Sequence, residues 1–587
     1  VRSEQHSEAL DEAGDERPWL AAYDRAVPAE IAPDGRSLLD FFEASCARYA
    51  QRDALVLRNA RLSYAELERS VLRASAVLAE LGVERGTSVA IQLPNLPQTV
   101  IAYYAALRLG ARVVLTNPLY MASEIEEQWG DADCRVAIVA DYVYAQKLRE
   151  LRPKLPVRAY LATGIADHFR APLRWIAPIA LARRKQPLAA RLAAEPGLHF
   201  WRDELARERP APPRAQLAPE DVAVLQYTGG TTGRAKAAQL THANLAINVR
   251  QIDAWFTARE HGREVMLGCL PIFHVFGMSV CMNWSLHMGA TLVLQPDPRD
   301  IKSLIGALVK ERVSIFPAVP AIFHAINHHP GIERIDLSSV KVCVSGSAPL
   351  ALETKQRFER LTGGRILEGY GLSETSPVTH VNPYAGERKL GHIGLPVSGT
   401  RARIVDAESG TRVLAPGEEG ELVLQGPQVM LGYWRRPEET ANALRDGWFH
   451  TGDLAAMDAQ GYFRILGRKK EMINVGGFKV YPDELDHVLM AHPAVLESAT
   501  VGLPREGEDA ARGELVHSFV VLKPGASASA QELQAHCRAL LAPYKVPKAI
   551  EFLDALPKSS MMKILRRELV ARALEARKTG GAPRPAS

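Results

Sequence analysis

The chain has 587 residues, 47% of them apolar and 24% charged, with a formal net charge of +4 at pH 7. That length exceeds what one hydrophobic core usually organises, and the apolar share is ordinary for a globular chain, so a soluble two-domain protein is expected. The net charge is small and no zinc-finger, RNP-like or basic-helix pattern accompanies it, so nucleic acid is not expected as a partner.

Six cysteines, at 46, 134, 269, 281, 343 and 537, form no C-x-x-C pair and no ligand cluster. Neither a disulfide framework nor a zinc site is suggested, and a reducing cytoplasm fits. Residues 1–17 are polar and acid-rich with no apolar run, which predicts a flexible tail rather than a secretory signal; a second disordered tail is expected at 577–587.

In chain order, an amphipathic stretch at 64–81 predicts a helix, and short apolar runs at 88–92, 136–140 and 340–345 predict strands. This alternation argues for an α/β domain with largely parallel sheets. Between Arg170 and Ala194 stand six basic residues and no acidic one, among Leu173, Trp175, Ile176, Ile179 and Leu181. Such a piece suits either a solvated basic loop or an anionic bilayer surface, with Pro172 and Pro178 weakening any long helix. From Val265 to Pro296 there is no Asp, Glu, Lys or Arg. A hydropathy scan would flag a membrane span, but Pro271, Asn283, two histidines and three glycines interrupt it. It parses as strand 266–271, helix 277–288 and strand 291–295, the interior of an enzyme.

The most telling segment runs from Tyr227 to Lys236. Thr228, Gly229, Gly230, Thr231, Thr232 and Gly233 precede the lysine, as a loop that wraps polyphosphate requires. Glycines let backbone N–H groups converge on an anion, hydroxyls add donors or reach a metal, and Lys236 adds charge. With a buried strand at 222–225 and a helix from Thr241, the loop is expected at a strand-to-helix junction. A P-loop kinase or GTPase would need Ser or Thr directly after the lysine, and Gly233-Arg-Ala-Lys-Ala breaks that spacing.

The loop instead resembles the phosphate loop of the adenylate-forming superfamily, which includes acyl-CoA synthetases, luciferases and peptide-synthetase adenylation domains. The resemblance holds at further points, in the family's order, from about Pro18 to Arg567. Val344 to Leu350 looks like the adenine-side loop, with Gly346, Ser347 and Ala348 letting backbone approach the base. In Leu367 to Thr375 the resemblance assigns Glu368, Gly369, Tyr370, Gly371 and Ser373 to ATP, with Tyr370 against adenine, and Glu374 with Thr228 to Mg2+. Trp448 to Asp453 is similar to the ribose turn, with Asp453 accepting sugar hydroxyls and Arg468 reaching the ribose. Lys470 falls at the hinge, and Gly476, Gly477 and Phe478 at the pantetheine channel for coenzyme A. His274 falls near the reacting carboxylate, with Phe276 and Met278 beside the acyl tunnel. The catalytic lysine of the first half-reaction maps to Lys563, where Met562 stands in place of the glycine most relatives carry.

Within the superfamily the chain most resembles bacterial long-chain fatty-acid CoA ligases, through Thr116 to Tyr120, Gly369 to Glu374, Val381 to Tyr384 and Gly426 to Trp434. The resemblance implies a large N-terminal domain with mostly parallel sheets at 18–466, a hinge at 467–470, and a small mobile α+β domain at 471–576. It places the active site in the cleft between them. The expected activity joins a long-chain fatty acid to CoA through acyl-AMP, consuming ATP with Mg2+. Alternatives are a fatty acyl-AMP ligase loading a carrier protein and a non-catalytic membrane-surface fatty-acid-binding protein. The sequence sets no oligomeric state; a homodimer is compatible with it.

Overall fold

The computed structural model describes residues 17–228, 235–476, 478–505, 513–558 and 564–578. By contact density the chain divides into two compact units. One comprises the described residues through Arg401 together with Gln425–Phe449, and the other comprises Ala402–Leu424 and His450 onward. Packing thus groups segments on both sides of residue 449 with the C-terminal residues, whereas the sequence set its border at 467–470. A border of packing need not coincide with a pivot.

The first unit contains two sheets. Among the described residues one has seven strands, in the order Leu198–Phe200, Ala159–Thr163, Cys134–Ala140, Ser88–Gln92, Arg112–Leu115, Val222–Thr228 and Lys236–Thr241. Its pairs are parallel except the last. The other has nine, in the order Leu395–Pro396, Val378–Val381, Arg365–Gly371, Val342–Ser345, Ile315–Ala318, Val265–Gly268, Thr291–Leu294, Asp53–Leu57 and Ala60–Ser63. Its interior pairs are parallel and antiparallel strands close both ends. The interior strands Ser88–Gln92 and Val342–Ser345 are buried throughout, as parallel strands covered on both faces must be.

Helix Tyr64–Glu80 starts where Ser63 and Glu66 form a capping box, and it buries Leu67, Val71, Ala74 and Leu78 on one stripe. The uncharged 265–296 window is interior. Strand Val265–Gly268 ends three residues before Pro271, and the predicted helix opens as a π-helical run Gly277–Asn283 before an α-helical turn Trp284–His287. No described helix is long and apolar enough to cross a membrane. All six cysteines are free and buried.

The second unit holds a sheet with strands Arg401–Val405, Glu419–Gln425, Trp448–Met457 and Phe463–Arg468, and a hairpin Ile473–Val475 with Phe478–Val480. A further sheet of Val495–Pro504, Glu514–Leu522 and Ala549–Phe552 is sandwiched by helices. Phe519 faces Leu569 and Ala573 of helix Arg566–Lys578. Val520 faces the opposite side, with Leu489 of helix Pro482–Met490 and Leu533 and Cys537 of helix Ala530–Leu540. The last helix runs two residues past the expected end at 576.

A half-buried ionic cluster around the buried Asp486 ties this unit together. Arg566 reaches Glu471 (3.2 Å), Asp483 and Asp486 (2.7 Å). Asp486 also accepts from Ser498 and Thr500. Burial alone would weaken the guanidinium's hold on its proton, but Asp486, Asp483 and Glu471 reverse that and raise it. Burial pushes the Asp486 carboxyl up while Arg566 pulls it down. Removing one partner of such a cluster strands charges in a low-dielectric site. Arg566→Met is expected to cost roughly 3–5 kcal/mol, lowering hydrogen-exchange protection in strands Val495–Pro504 and Glu514–Leu522 by two orders of magnitude or more. Unchanged protection would show that the cluster is not a stabilising tie.

Candidate active site

In the first unit the site residues collect where parallel strands end. Strands Val265–Gly268, Ile315–Ala318, Val342–Ser345 and Arg365–Gly371 lie side by side, so the segments that leave their carboxyl ends emerge together. One of them carries His274, another Gly346–Ala348, and the last strand itself Glu368–Gly371.

Close approach is direct at two glycines. A Cβ on Gly346 would lie 3.2 Å from the Phe276 ring, and one on Gly371 would lie 2.0 Å from the Pro377 carbonyl oxygen. A side chain at 346 would press the ring, and one at 371 would displace backbone. Ser347 holds φ at +72°, a left-handed conformation that costs a non-glycine residue about 1–3 kcal/mol and is seldom kept without a use. Tyr370 is half-buried, and its ring meets His380 edge-on at 5.9 Å. Burial pulls the His380 imidazolium down to about 3, so this ring is neutral at physiological pH. Glu368 is buried, which raises its carboxyl, while Lys355 at 3.5 Å opposes the rise.

Two amides from the side of the seven-stranded sheet, Asn95 just past strand Ser88–Gln92 and Gln226 in strand Val222–Thr228, hold the His274 segment. Asn95 donates to the carbonyls of Gly268 (2.9 Å) and Leu270 (2.8 Å) and accepts from the Ile272 N–H (2.9 Å). Gln226 donates to the Phe273 carbonyl at 3.3 Å. His274 Nδ1 accepts from the Phe276 N–H at 3.3 Å, which leaves Nε2 to carry the proton of the neutral ring. Phe276 and Met278 are buried.

The polyphosphate-type loop differs from its expected setting. It joins two antiparallel strands, with Thr228 opposite Lys236, and the helix His242–Trp255 begins only after the second strand. The N-terminus of that helix is closed by a Thr241–Asn244 capping box. Gly229, Gly230, Thr231, Thr232 and Gly233 lie outside the described residues, as do Gly477, Met562 and Lys563. The Tyr227 hydroxyl donates to Asp131 (2.7 Å), which also receives Arg436 (3.0 Å).

Lys236 and Glu374 are joined through Tyr433, a residue with no role in the sequence reading. The Lys236 Nζ lies 5.4 Å from the Tyr433 ring centroid and 3.9 Å from Glu439. The Tyr433 hydroxyl donates to Glu374 at 2.8 Å. Residues Leu431–Trp434 extend the sheet by pairing with strand Lys236–Thr241, and the Met430 N–H donates to the Glu374 carbonyl at 2.7 Å. The short turn Ser373–Thr375 packs on both strands that flank the loop, the one that Thr228 ends and the one that Lys236 begins. Sequence reasoning also passed over Gln226 and Asn95. The signal was there in Gln226, an amide inside the otherwise apolar strand that leads to the loop.

The second unit has its own pair. Asp453 and Arg468 face each other on antiparallel strands, Nε to Oδ1 at 2.7 Å, with the carboxylate buried and the guanidinium partly exposed. Lys470 is exposed at a turn between anchored neighbours: Lys469 pairs with Glu421 at 3.1 Å and Glu471 with Arg566. Gly476 holds φ at +60°, and Phe478, 57% exposed, stacks on Tyr544 at 4.7 Å.

A sequence-family profile described as AMP-binding enzyme matches residues 42–434, and one described as AMP-binding enzyme C-terminal domain matches 484–563. The chain is 41% identical over 559 residues to a long-chain-fatty-acid–CoA ligase of Bacillus subtilis (strain 168), covering 94% of this chain and 98% of that protein. It is 39% identical over 554 residues to a protein of that name from Escherichia coli O157:H7, covering 94% and 97%. Among solved structures, ATP-bound MatB from Rhodopseudomonas palustris superposes with a TM-score of 0.78 at 29% identity, covering 91% of this chain and 98% of that one. The anthranilate CoA ligase AuaEII in complex with anthranoyl-AMP gives 0.81 at 25%, covering 93% and 99%.

Proposed function

Because the chain belongs to the AMP-binding enzyme family, we propose that it activates a long-chain fatty acid with ATP through an acyl-AMP intermediate and passes the acyl group to coenzyme A. The names of the two bacterial relatives support the acid and the acceptor. The observation that carries the reading is the Lys236–Tyr433–Glu374 chain set against the strands that flank the Gly/Thr loop. It joins a cation suited to phosphate with a hard oxygen ligand suited to magnesium.

The chemistry answers what a carboxylate lacks. As an anion with a poor leaving group it resists a thiol. A carboxylate oxygen attacks the α-phosphorus of ATP and expels pyrophosphate, and the resulting mixed anhydride carries AMP as a leaving group. Sulfur then attacks the acyl carbon, and AMP departs with the former carboxylate oxygen.

In this reading Lys236, Lys563 and the N–H groups of Gly229, Gly230 and Gly233 offset charge that accumulates on the phosphates, aided by the hydroxyls of Thr231 and Thr232. Glu374 and Thr228 offer the oxygen donors Mg2+ takes, and the bound ion would neutralise phosphate charge. Backbone at Gly346–Ala348 and Glu368–Gly371, with Tyr370 and Ser373, receives the adenine side. Asp453 takes the ribose hydroxyls, oriented by Arg468. His274 orients the carboxylate beside Phe276 and Met278, Lys470 is the pivot between half-reactions, and Gly476, Gly477 and Phe478 meet pantetheine.

The reading is tested by pyrophosphate release over saturated acids of increasing length, with and without CoA. Each buried methylene is worth about 0.8 kcal/mol, so turnover is expected to favour long acids and to be sustained only with CoA. Release without CoA consumption would point to a carrier-protein acceptor, and none with any acid would refute an enzyme.

Two variants probe roles. Lys563→Ala is expected to slow acyl-AMP formation about a hundredfold, the loss of about 3 kcal/mol typical of one preorganised donor, while thioester formation from supplied acyl-AMP is far less affected. Equal loss in both would remove the assignment. Tyr433→Phe deletes the hydroxyl that holds Glu374, and the Mg2+ concentration for half-maximal rate should rise about tenfold, as a hydrogen bond to a charged group is worth. An unchanged Mg2+ dependence would detach Glu374 from the metal.

A further inference from the structure

We propose that the helix Leu173–Ala182 is a docking element by which this protein rests on an anionic lipid bilayer. It lies in the connection between strands Ala159–Thr163 and Leu198–Phe200, at the edge of the seven-stranded sheet. The connection is held down on both sides of the helix. Asn59 exchanges hydrogen bonds with the Arg170 N–H (3.3 Å) and carbonyl (3.1 Å), Gln146 donates to the Pro187 carbonyl (3.0 Å), and the Ala190 N–H donates to Asp141 (3.2 Å). The helix is therefore a presented element with fixed ends.

Its two faces are unlike. Ala177 is buried, with Leu173 and Leu181 half-buried one turn before and after it, so this stripe faces the protein. The opposite stripe exposes Trp175 (67%), Ile176 (57%) and Ile179 (53%), three of the largest apolar exposures among the described residues. One further turn along that stripe comes Arg183, followed by Arg184 and Lys185, all exposed. Pro178 falls on the half-buried side, leaving the outer stripe continuous.

Charge selects the occupant. Arg170 precedes the helix in sequence, Arg174 falls within it, Arg183, Arg184, Lys185 and Arg191 follow it, and no acidic residue lies between 170 and 194. Arg184 lies close enough to Asp297 to help hold its carboxyl below the usual range. A second copy of the chain related by a two-fold axis would set these cations against themselves, which opposes self-association through this face. An anionic bilayer satisfies both halves: headgroups meet the cations, and tryptophan with two isoleucines enters the headgroup–acyl boundary. At ten residues the helix is too short to span and lies in the interface plane.

The test is flotation of the full-length protein with vesicles of phosphatidylcholine alone and of phosphatidylcholine containing phosphatidylglycerol, at low and high salt. The expected result is binding to the anionic vesicles, weakened by salt, and none to neutral ones. Trp175→Ser/Ile176→Ser/Ile179→Ser should abolish it. Arg183→Gln/Arg184→Gln/Lys185→Gln should weaken it roughly a hundredfold, at about fivefold per cation near the surface. Circular dichroism and pyrophosphate exchange with a short soluble acid check that both variants fold. No flotation of the wild type, undiminished flotation of the apolar variant, or equal binding to neutral vesicles would overturn the proposal. So would a lipid-independent dimer that the apolar variant loses, which would give the face to a second copy.

Discussion

Parallel strands impose the constraint on which the site of the first unit rests. Neighbouring parallel strands can pair only if each is reached by a crossover that returns to the same end of the sheet, so every segment that leaves such a strand emerges on one side. Four adjacent strands here end in the segments that carry His274, residues 319–320, Gly346–Ala348 and Gly369–Gly371. Residues a hundred positions apart are neighbours because hydrogen-bond direction leaves them nowhere else to go. Side-chain amides then refine the arrangement. Asn95 donates to the carbonyls of Gly268 and Leu270 and Gln226 to that of Phe273, while a Cβ would press the Phe276 ring at Gly346 and displace the Pro377 backbone at Gly371.

In the second unit the comparable constraint is electrostatic. Arg566 opens the last helix and binds Glu471, next to the proposed pivot Lys470, as well as Asp483 and Asp486 of helix Pro482–Met490. Lys558 and Ile564 form an antiparallel bridge on either side of residues 559–563. The segments that flank Lys563 and Lys470 are thus tied to one cluster, and a group that must act at one step and leave at the next would be carried by a rigid body. Lys470 is exposed between two anchored neighbours, a setting compatible with the pivot proposed for it.

Much of this was readable in the residues, for a physical reason. A loop that wraps phosphate needs glycines and hydroxyls next to a lysine, and buried parallel strands need short apolar runs, so Thr228 to Lys236, 88–92 and 136–140 stand out without a structure, the last strand beginning two residues earlier at Cys134. Lys236–Thr241 did not. Its sequence, Lys-Ala-Ala-Gln-Leu-Thr, reads as an approach to a helix, and only pairing with Val222–Thr228 on one side and Leu431–Trp434 on the other makes it a strand. Tyr433 sat within a recognised stretch but without a role, because its partner Glu374 is remote in sequence. The π-helical start at Gly277 and the tolerance of Pro178 inside a helix also depend on packing rather than on local propensity.

The central claim is that a carboxylate oxygen, not water, attacks the α-phosphorus of ATP. The direct measurement supplies a long-chain fatty acid labelled with heavy oxygen in its carboxylate, together with ATP, Mg2+ and CoA, and follows the label by mass spectrometry of the nucleotide products. The account predicts AMP carrying one labelled oxygen in its phosphate for every acyl-CoA formed. Unlabelled AMP, or ADP accompanied by labelled inorganic phosphate, would contradict it.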